Sequence, residues 1–256
     1  MTTRRIIAAG LTGVVVFGLL WELTVRLLDV EPFILMPPSK IVSELLERPD
    51  FYLEAAAVTA RQATVGLLIA LGLAILLGAG LAASRFAEQA AQPVLVLILV
   101  APWVAYFTSV VVWLGAGDPP VIFLVAFVTT PAFVFATVAG MRSADPAARE
   151  LLASVDAGWW EVLWRLRLPS ALPAVLAAAR YSVGLALAAA YYGEGGNLTT
   201  EGLGAAGRRA INVQNGPVLW ATVIATVLLG VAGLAIIAVV ERTLLRWHVS
   251  QRRQVR

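Results

Sequence analysis

Cysteine is missing from this 256-residue chain, and histidine nearly so: His248 stands alone near the C-terminus. No disulfide and no thiolate metal site can form, and zinc centres built from several His or Cys ligands are excluded within the chain. Nucleophilic catalysis of the Ser-His or Cys-His type is confined to that single imidazole. Charge is scarce as well. Asp, Glu, Lys and Arg make up 14% of the residues, roughly half the usual share of a soluble domain. Lysine occurs once, as Lys40, beside 18 arginines. The positive charges are scattered rather than gathered in one basic domain, which argues against a nucleic-acid partner.

What is abundant is apolar surface. Hydrophobic residues reach 60%, and the mean hydropathy is +0.84. Too few polar residues remain to cover the outside of a soluble globule, and disorder needs the opposite composition. The bilayer is the expected solvent. A spanning helix needs about 20 mostly apolar residues. Six runs qualify, at about 6–28, 58–84, 91–114, 120–141, 171–193 and 217–240, forming one transmembrane domain over 1–256. Arg4-Arg5 ahead of the first run resembles a secretory signal, but the run is too long and no cleavage site follows, so it reads as a retained helix. Pro102 and Pro131 lie inside spans three and four and are expected to kink them.

Basic residues concentrate on the cytoplasmic side of multi-pass proteins. With six spans, the termini and the 2–3 and 4–5 loops hold twelve arginines against four basic residues in the opposite loops, Lys40, Arg48, Arg208 and Arg209. Both termini are therefore expected in the cytoplasm, and the basic tail Arg252-Arg253-Arg256 near anionic headgroups. Outside, Ser39 is expected to cap a short amphipathic helix running from Lys40 to about Glu47. Small residues of span two, Gly66, Gly72, Gly78 and Gly80, are expected to allow close helix packing.

The long loop at 142–169 carries the most information. Asp145-Pro146 is a helix start, with an N-cap carboxylate and proline at the first helical position. Leu151, Leu152, Val155 and Trp159 recur at helical spacing; a second short run holds Trp160, Leu163, Trp164 and Arg167. Asp156-Ala157-Gly158 marks a bend between them, and Pro169 and Pro173 are expected to end the unit and open span five. Two readings of these residues stand side by side. One is an amphipathic loop lying on the membrane surface; the other is a pair of short helices that docks into another protein.

The segment resembles the cytoplasmic signature of importer permeases of the ATP-binding-cassette (ABC) class: Glu-Ala-Ala, three residues, Gly, nine residues, Ile-x-Leu-Pro. Here Glu150, Leu166, Leu168 and Pro169 match; Leu151-Leu152 replace Ala-Ala and Asp156 replaces Gly. Gly158 is expected to take over the flexible role. Further similarity lies in Leu20–Leu28, Pro32–Val42, Arg165–Pro173, Glu201–Gly204, Gly216–Thr222 and Val240–Trp247, and it points to the branch serving sulfonates, taurine, nitrate and thiamine or riboflavin precursors.

The resemblance implies an all-α, six-span integral membrane protein of the bacterial inner membrane, and a chain that is not itself an enzyme. The implied partners are a separate ATPase subunit that binds the ATP, an extracytoplasmic solute-binding protein and a second permease copy; no cofactor is implied. The coupling residues would be Arg149, Glu150, Leu152, Val155, Asp156, Ala157, Gly158, Trp159, Trp160 and Leu163. The implied substrate is a vitamin precursor, a thiamine-type pyrimidine or riboflavin, with sulfonate, taurine or nitrate as the alternative.

Gly202-Leu-Gly-Ala-Ala-Gly207 fits a dinucleotide fingerprint, but no strand precedes it, so a turn or short re-entrant segment is expected. Arg180, inside span five, either lines a translocation path and attracts an anion or forms a structural pair. Glu194 either gates that path, pairs with Arg208 or Arg209, or is a solvated loop carboxylate. A membrane-embedded protease lacks its catalytic pairs within the spans. A stand-alone secondary transporter is the rival of another class, and it calls for paired ionisable groups at mid-membrane.

Overall fold

The computed structural model describes residues 3–197 and 201–245, with the backbone alone at 3, 4, 6 and 7. His248 and the arginine tail fall outside the described residues. Every element among them is helical: α1 (Thr3–Leu27), α2 (Pro38–Glu47), α3 (Pro49–Ala83), α4 (Arg85–Val100), α5 (Trp103–Leu114), α6 (Asp118–Arg142), α7 (Pro146–Ser154), α8 (Trp159–Val162), a π-helical turn (Leu163–Arg167), α9 (Leu168–Gly196), α10 (Leu203–Asn212) and α11 (Gly216–Leu244). Five helices are long and apolar enough to cross a bilayer, or six if α4 and α5 together make one span.

The core is built around α6, which is apolar on all sides and lies between α3 and α9. Small residues set the approach. A Cβ on Gly66 would lie 2.5 Å from Val125 Cγ1, one on Gly78 2.5 Å from Thr137 Cγ2, and one on Gly140 2.6 Å from the Ala171 Cα. Helices driven together by packing alone need such contacts. Gly72 and Gly80 were expected to do the same, yet each faces open space.

Three further expectations are corrected. Span three is not one kinked helix: α4 and α5 meet at 94°. Pro102 has no N–H to continue the ladder, and it drives Ala101 into extended geometry at φ −61°, ψ 134°. Pro131, by contrast, sits inside an unbroken α6. Span two starts at Pro49 rather than near 58, because Tyr52 and Ala55 bury against Met36, Ile41, Leu203 and Ala221. Ser39 does not cap α2. The cap position is Pro37, and the Ser39 N–H and hydroxyl both donate to the Glu22 carboxylate, at 2.9 and 2.7 Å. That carboxylate also accepts from Arg26, so α1 and α2 are tied by one ionic cluster.

Candidate coupling unit and the buried Glu194 cap

The unit between α6 and α9 begins as its sequence dictates. The Ala147 N–H donates to the Asp145 carboxylate at 3.0 Å, and Pro146 takes the first turn of α7. The end of α7 is a Schellman motif: the Ala157 N–H donates to the Leu152 carbonyl (3.0 Å) and the Asp156 N–H to the Ala153 carbonyl (3.2 Å). The residue in the left-handed conformation is Asp156, with φ +50°. The related signature has glycine there because a Cβ disfavours this geometry; aspartate is among the few side chains that tolerate it. Gly158 does not take over the role. Its φ of −63° and ψ of 159° are open to any residue.

This geometry makes a direct prediction. Asp156→Gly stabilises the end of α7 by about 0.5–1 kcal/mol, and Asp156→Val destabilises it by roughly 1–2 kcal/mol. Amide hydrogen exchange across 147–157 measures both; equal protection in the two variants refutes the cap.

Beyond Gly158 the chain does not stop and restart. α8, the π-helical turn and α9 form one continuous helix from Trp159 to Gly196, 38 residues long. Pro169 falls in the first turn after the π segment and Pro173 lies inside α9, so neither closes the unit as expected. Both lack the N–H a regular α-helix would need there. The wider turn accommodates the first, the Leu168 N–H donating back to the Leu163 carbonyl.

Leu151, Val155, Trp159, Trp160 and Trp164 are all more than half exposed. The three indoles form a chain, with ring centroids 5.9 Å apart for Trp159–Trp160 and 5.6 Å for Trp160–Trp164. Arg149, Glu150 and Asp156 are exposed; Leu152 and Ala157 are half-buried. Leu163 is only 5% exposed and packs with Val138, Met141 and Ala171 beneath the unit, so it anchors rather than docks. Leu151 and Trp164 were absent from the expected coupling set, although the Leu151–Val155 spacing of one turn had signalled a shared face.

At the opposite end of the bundle, Glu194 is fully buried near the end of α9. It is no solvated loop carboxylate. The Gly204 N–H donates to it at 2.7 Å, and the Leu203 N–H donates to the Thr59 hydroxyl at 3.0 Å. Side chains from α9 and α3 thus satisfy the first N–H groups of α10, where the helix dipole favours a negative charge. The glycines of the 202–207 run serve this seat, not a nucleotide. A Cβ on Gly204 would fall on the Tyr191 carbonyl, and Gly202 holds φ +98° against the Glu194 carboxylate. Close by, Asp118 accepts from Arg61 at 2.6 Å and from Gln62 at 2.7 Å, and Asn197 donates to the Gly117 carbonyl at 2.6 Å. α3, α6, α9 and α10 are therefore cross-linked by polar groups at this end. Gln62 was not foreseen, because one uncharged polar residue inside an apolar run gives no periodic signal.

Arg180 of α9 is ion-paired with Glu241 of α11. Glu241 was missed because the sixth apolar run was ended at Val240. An apolar cleft of about 660 Å³ runs between α3, α9 and α11, lined among others by Thr64, Thr137, Val183, Leu187 and Ile237. Neither Arg180 nor Glu194 lines it.

A bundle of apolar helices carrying an exposed aromatic unit that is continuous with one of its long helices is the build of a multi-pass membrane protein. The model of the family described as "binding-protein-dependent transport system inner membrane component" matches residues 70–246. The chain belongs to that family, and it is an ABC importer permease subunit. It is similar to the formylaminopyrimidine transport permease protein ThiX of Halalkalibacterium halodurans, 29% identical over 91% of this chain and 92% of that one. The taurine transport system permease protein TauC of Escherichia coli is 26% identical, over 89% and 85% respectively. The riboflavin transport system permease protein RibX of Chloroflexus aurantiacus is 29% identical, over 65% and 62%. Among solved structures, the MetNI methionine ABC transporter in inward-facing conformations shares the fold, with a TM-score of 0.55 and 19% identity over 75% of this chain and 94% of that one.

Proposed function

We propose that this chain, acting as a single permease domain, pairs with a second copy in the bacterial inner membrane to form the path for a pyrimidine vitamin precursor. Both termini and the α7–α8 unit face the cytoplasm, and α4–α5 together make the sixth span. A separate ATPase subunit grips Leu151, Val155 and the tryptophan chain, with Arg149 and Glu150 orienting the contact. The apolar cleft between α3, α9 and α11 is closed by the second copy.

The observation that carries the coupling reading is the unbroken helix from Trp159 to Gly196. A displacement of the docking face is handed directly to a span, as a lever requires. At its far end Glu194 holds α10, so the same helix links the ATPase side to the outer closure. The vitamin-precursor reading is supported by similarity to the formylaminopyrimidine permease along nearly the whole chain. The alternative of sulfonate, taurine or nitrate rests on the same family resemblance; Arg180 would have suited such an anion, and its Glu241 partner offsets that charge.

The test is reconstitution in proteoliposomes with the ATPase subunit that co-purifies with this chain and a solute-binding protein of the same system. ATP-dependent uptake of a formylaminopyrimidine, with riboflavin and taurine at least tenfold slower, is expected. Uptake of taurine alone overturns the substrate, and uptake without any ATPase overturns the coupling reading.

A further inference from the structure

Where α3 and α6 end beside α7, a cavity of about 290 Å³ opens, and four of its lining residues are arginines: Arg85, Arg142, Arg149 and Arg167. They come from four different elements, so their convergence is tertiary. Arg142 is ion-paired with Glu88. Among the described residues, no carboxylate lies within ion-pair distance of Arg85, Arg149 or Arg167. Three like charges around one small cavity repel each other unless an anion sits among them.

The wall also holds Met141 and Leu166, and the cavity lies where the apolar stretches of α3 and α6 stop. Guanidinium groups match phosphate by paired N–H donors. A basic pocket at the end of spans, with apolar wall beside it, suits an anion that carries a hydrocarbon part. We propose that this cavity binds the phosphate headgroup of an anionic phospholipid of the cytoplasmic leaflet. Arg149 belongs to α7 and Arg167 to the π-helical turn, so the bound headgroup ties the coupling unit to the ends of α3 and α6. The leaflet assignment rests on the orientation given above; the phosphate chemistry does not.

The test uses the full-length permease alone, delipidated in detergent and titrated with short-chain phosphatidylglycerol, phosphatidylcholine or inorganic phosphate under native mass spectrometry. Phosphatidylglycerol is expected to bind with clear preference, and Arg149→Gln with Arg167→Gln to weaken it about thirtyfold, about fivefold for each arginine. The Arg149→Lys, Arg167→Lys variant retains most of the binding, which separates lost charge from lost fold. Arg48→Gln, at the opposite end of the bundle, leaves it unchanged. Equal affinity in wild type and the Gln variant overturns the site. Inorganic phosphate binding as tightly as phosphatidylglycerol overturns the lipid as its occupant. No ATPase enters this measurement, so headgroup binding without coupled uptake refutes the importer reading alone, and the reverse result refutes the lipid site alone.

Discussion

Gly204→Ala is expected to lower the melting temperature of the detergent-solubilised permease by roughly 6–12 °C, from a cost of about 3 kcal/mol. The added methyl would occupy the position of the Tyr191 carbonyl, inside α9. Backbone in the middle of a helix cannot swing aside as a flexible side chain can, so α10 must lift. Lifting it breaks the Gly204–Glu194 hydrogen bond and the Leu203–Thr59 bond together. Both acceptors are fully buried, and each is then left without that donor. Gly184→Ala is the control: it lies in the same α9, where a Cβ meets nothing within 4 Å, and a change within about 1 kcal/mol is expected. Equal melting of the two variants refutes the seat of α10 on α9.

Val155→Asp combined with Trp159→Ala is expected to weaken ATPase association about thirtyfold or more, while the permease melts as the wild type does. Both side chains are more than half exposed, so neither supports the core. Truncating a central aromatic anchor of an interface costs 2 kcal/mol or more, about thirtyfold in affinity. A buried carboxylate at Val155 adds an unpaired charge to the same face. Co-purification from mild detergent and a titration by surface plasmon resonance measure the loss. Leu163→Ala should act oppositely: it opens a void beside Met141 and Ala171 and destabilises the permease by about 2–5 kcal/mol. If Leu163→Ala spares stability and abolishes docking, the docking face has been misplaced.

Composition alone placed this chain in the bilayer, because 60% apolar residues leave too little polar surface for water. Local chemistry did nearly as well. The apolar runs read at 120–141 and 217–240 lie inside the helices Asp118–Arg142 and Gly216–Leu244. The Asp145-Pro146 start of α7 and the bend at 156–158 were legible for the same reason: caps and turns are decided within a few residues.

What the sequence by itself could not decide depended on neighbours distant along the chain. Pro102 ends one helix and starts another at 94°, and Pro131 sits inside an unbroken one, although both lie in apolar runs; Pro131 is buried in the helix held between α3 and α9. Gly66 and Gly78 meet α6 while Gly72 and Gly80, on the same α3, face open space. For Glu194, nothing local distinguishes a gate, a pair or a loop; the fold-back of α10, which sets the Gly204 N–H against its carboxylate, does. Four arginines spread from 85 to 167 carry no pattern in one dimension. Periodicity and capping are properties of a segment, and this sequence determined them. Burial, pairing and convergence are properties of what a segment meets, and only the packing of α3, α6, α7, α9 and α10 decided those.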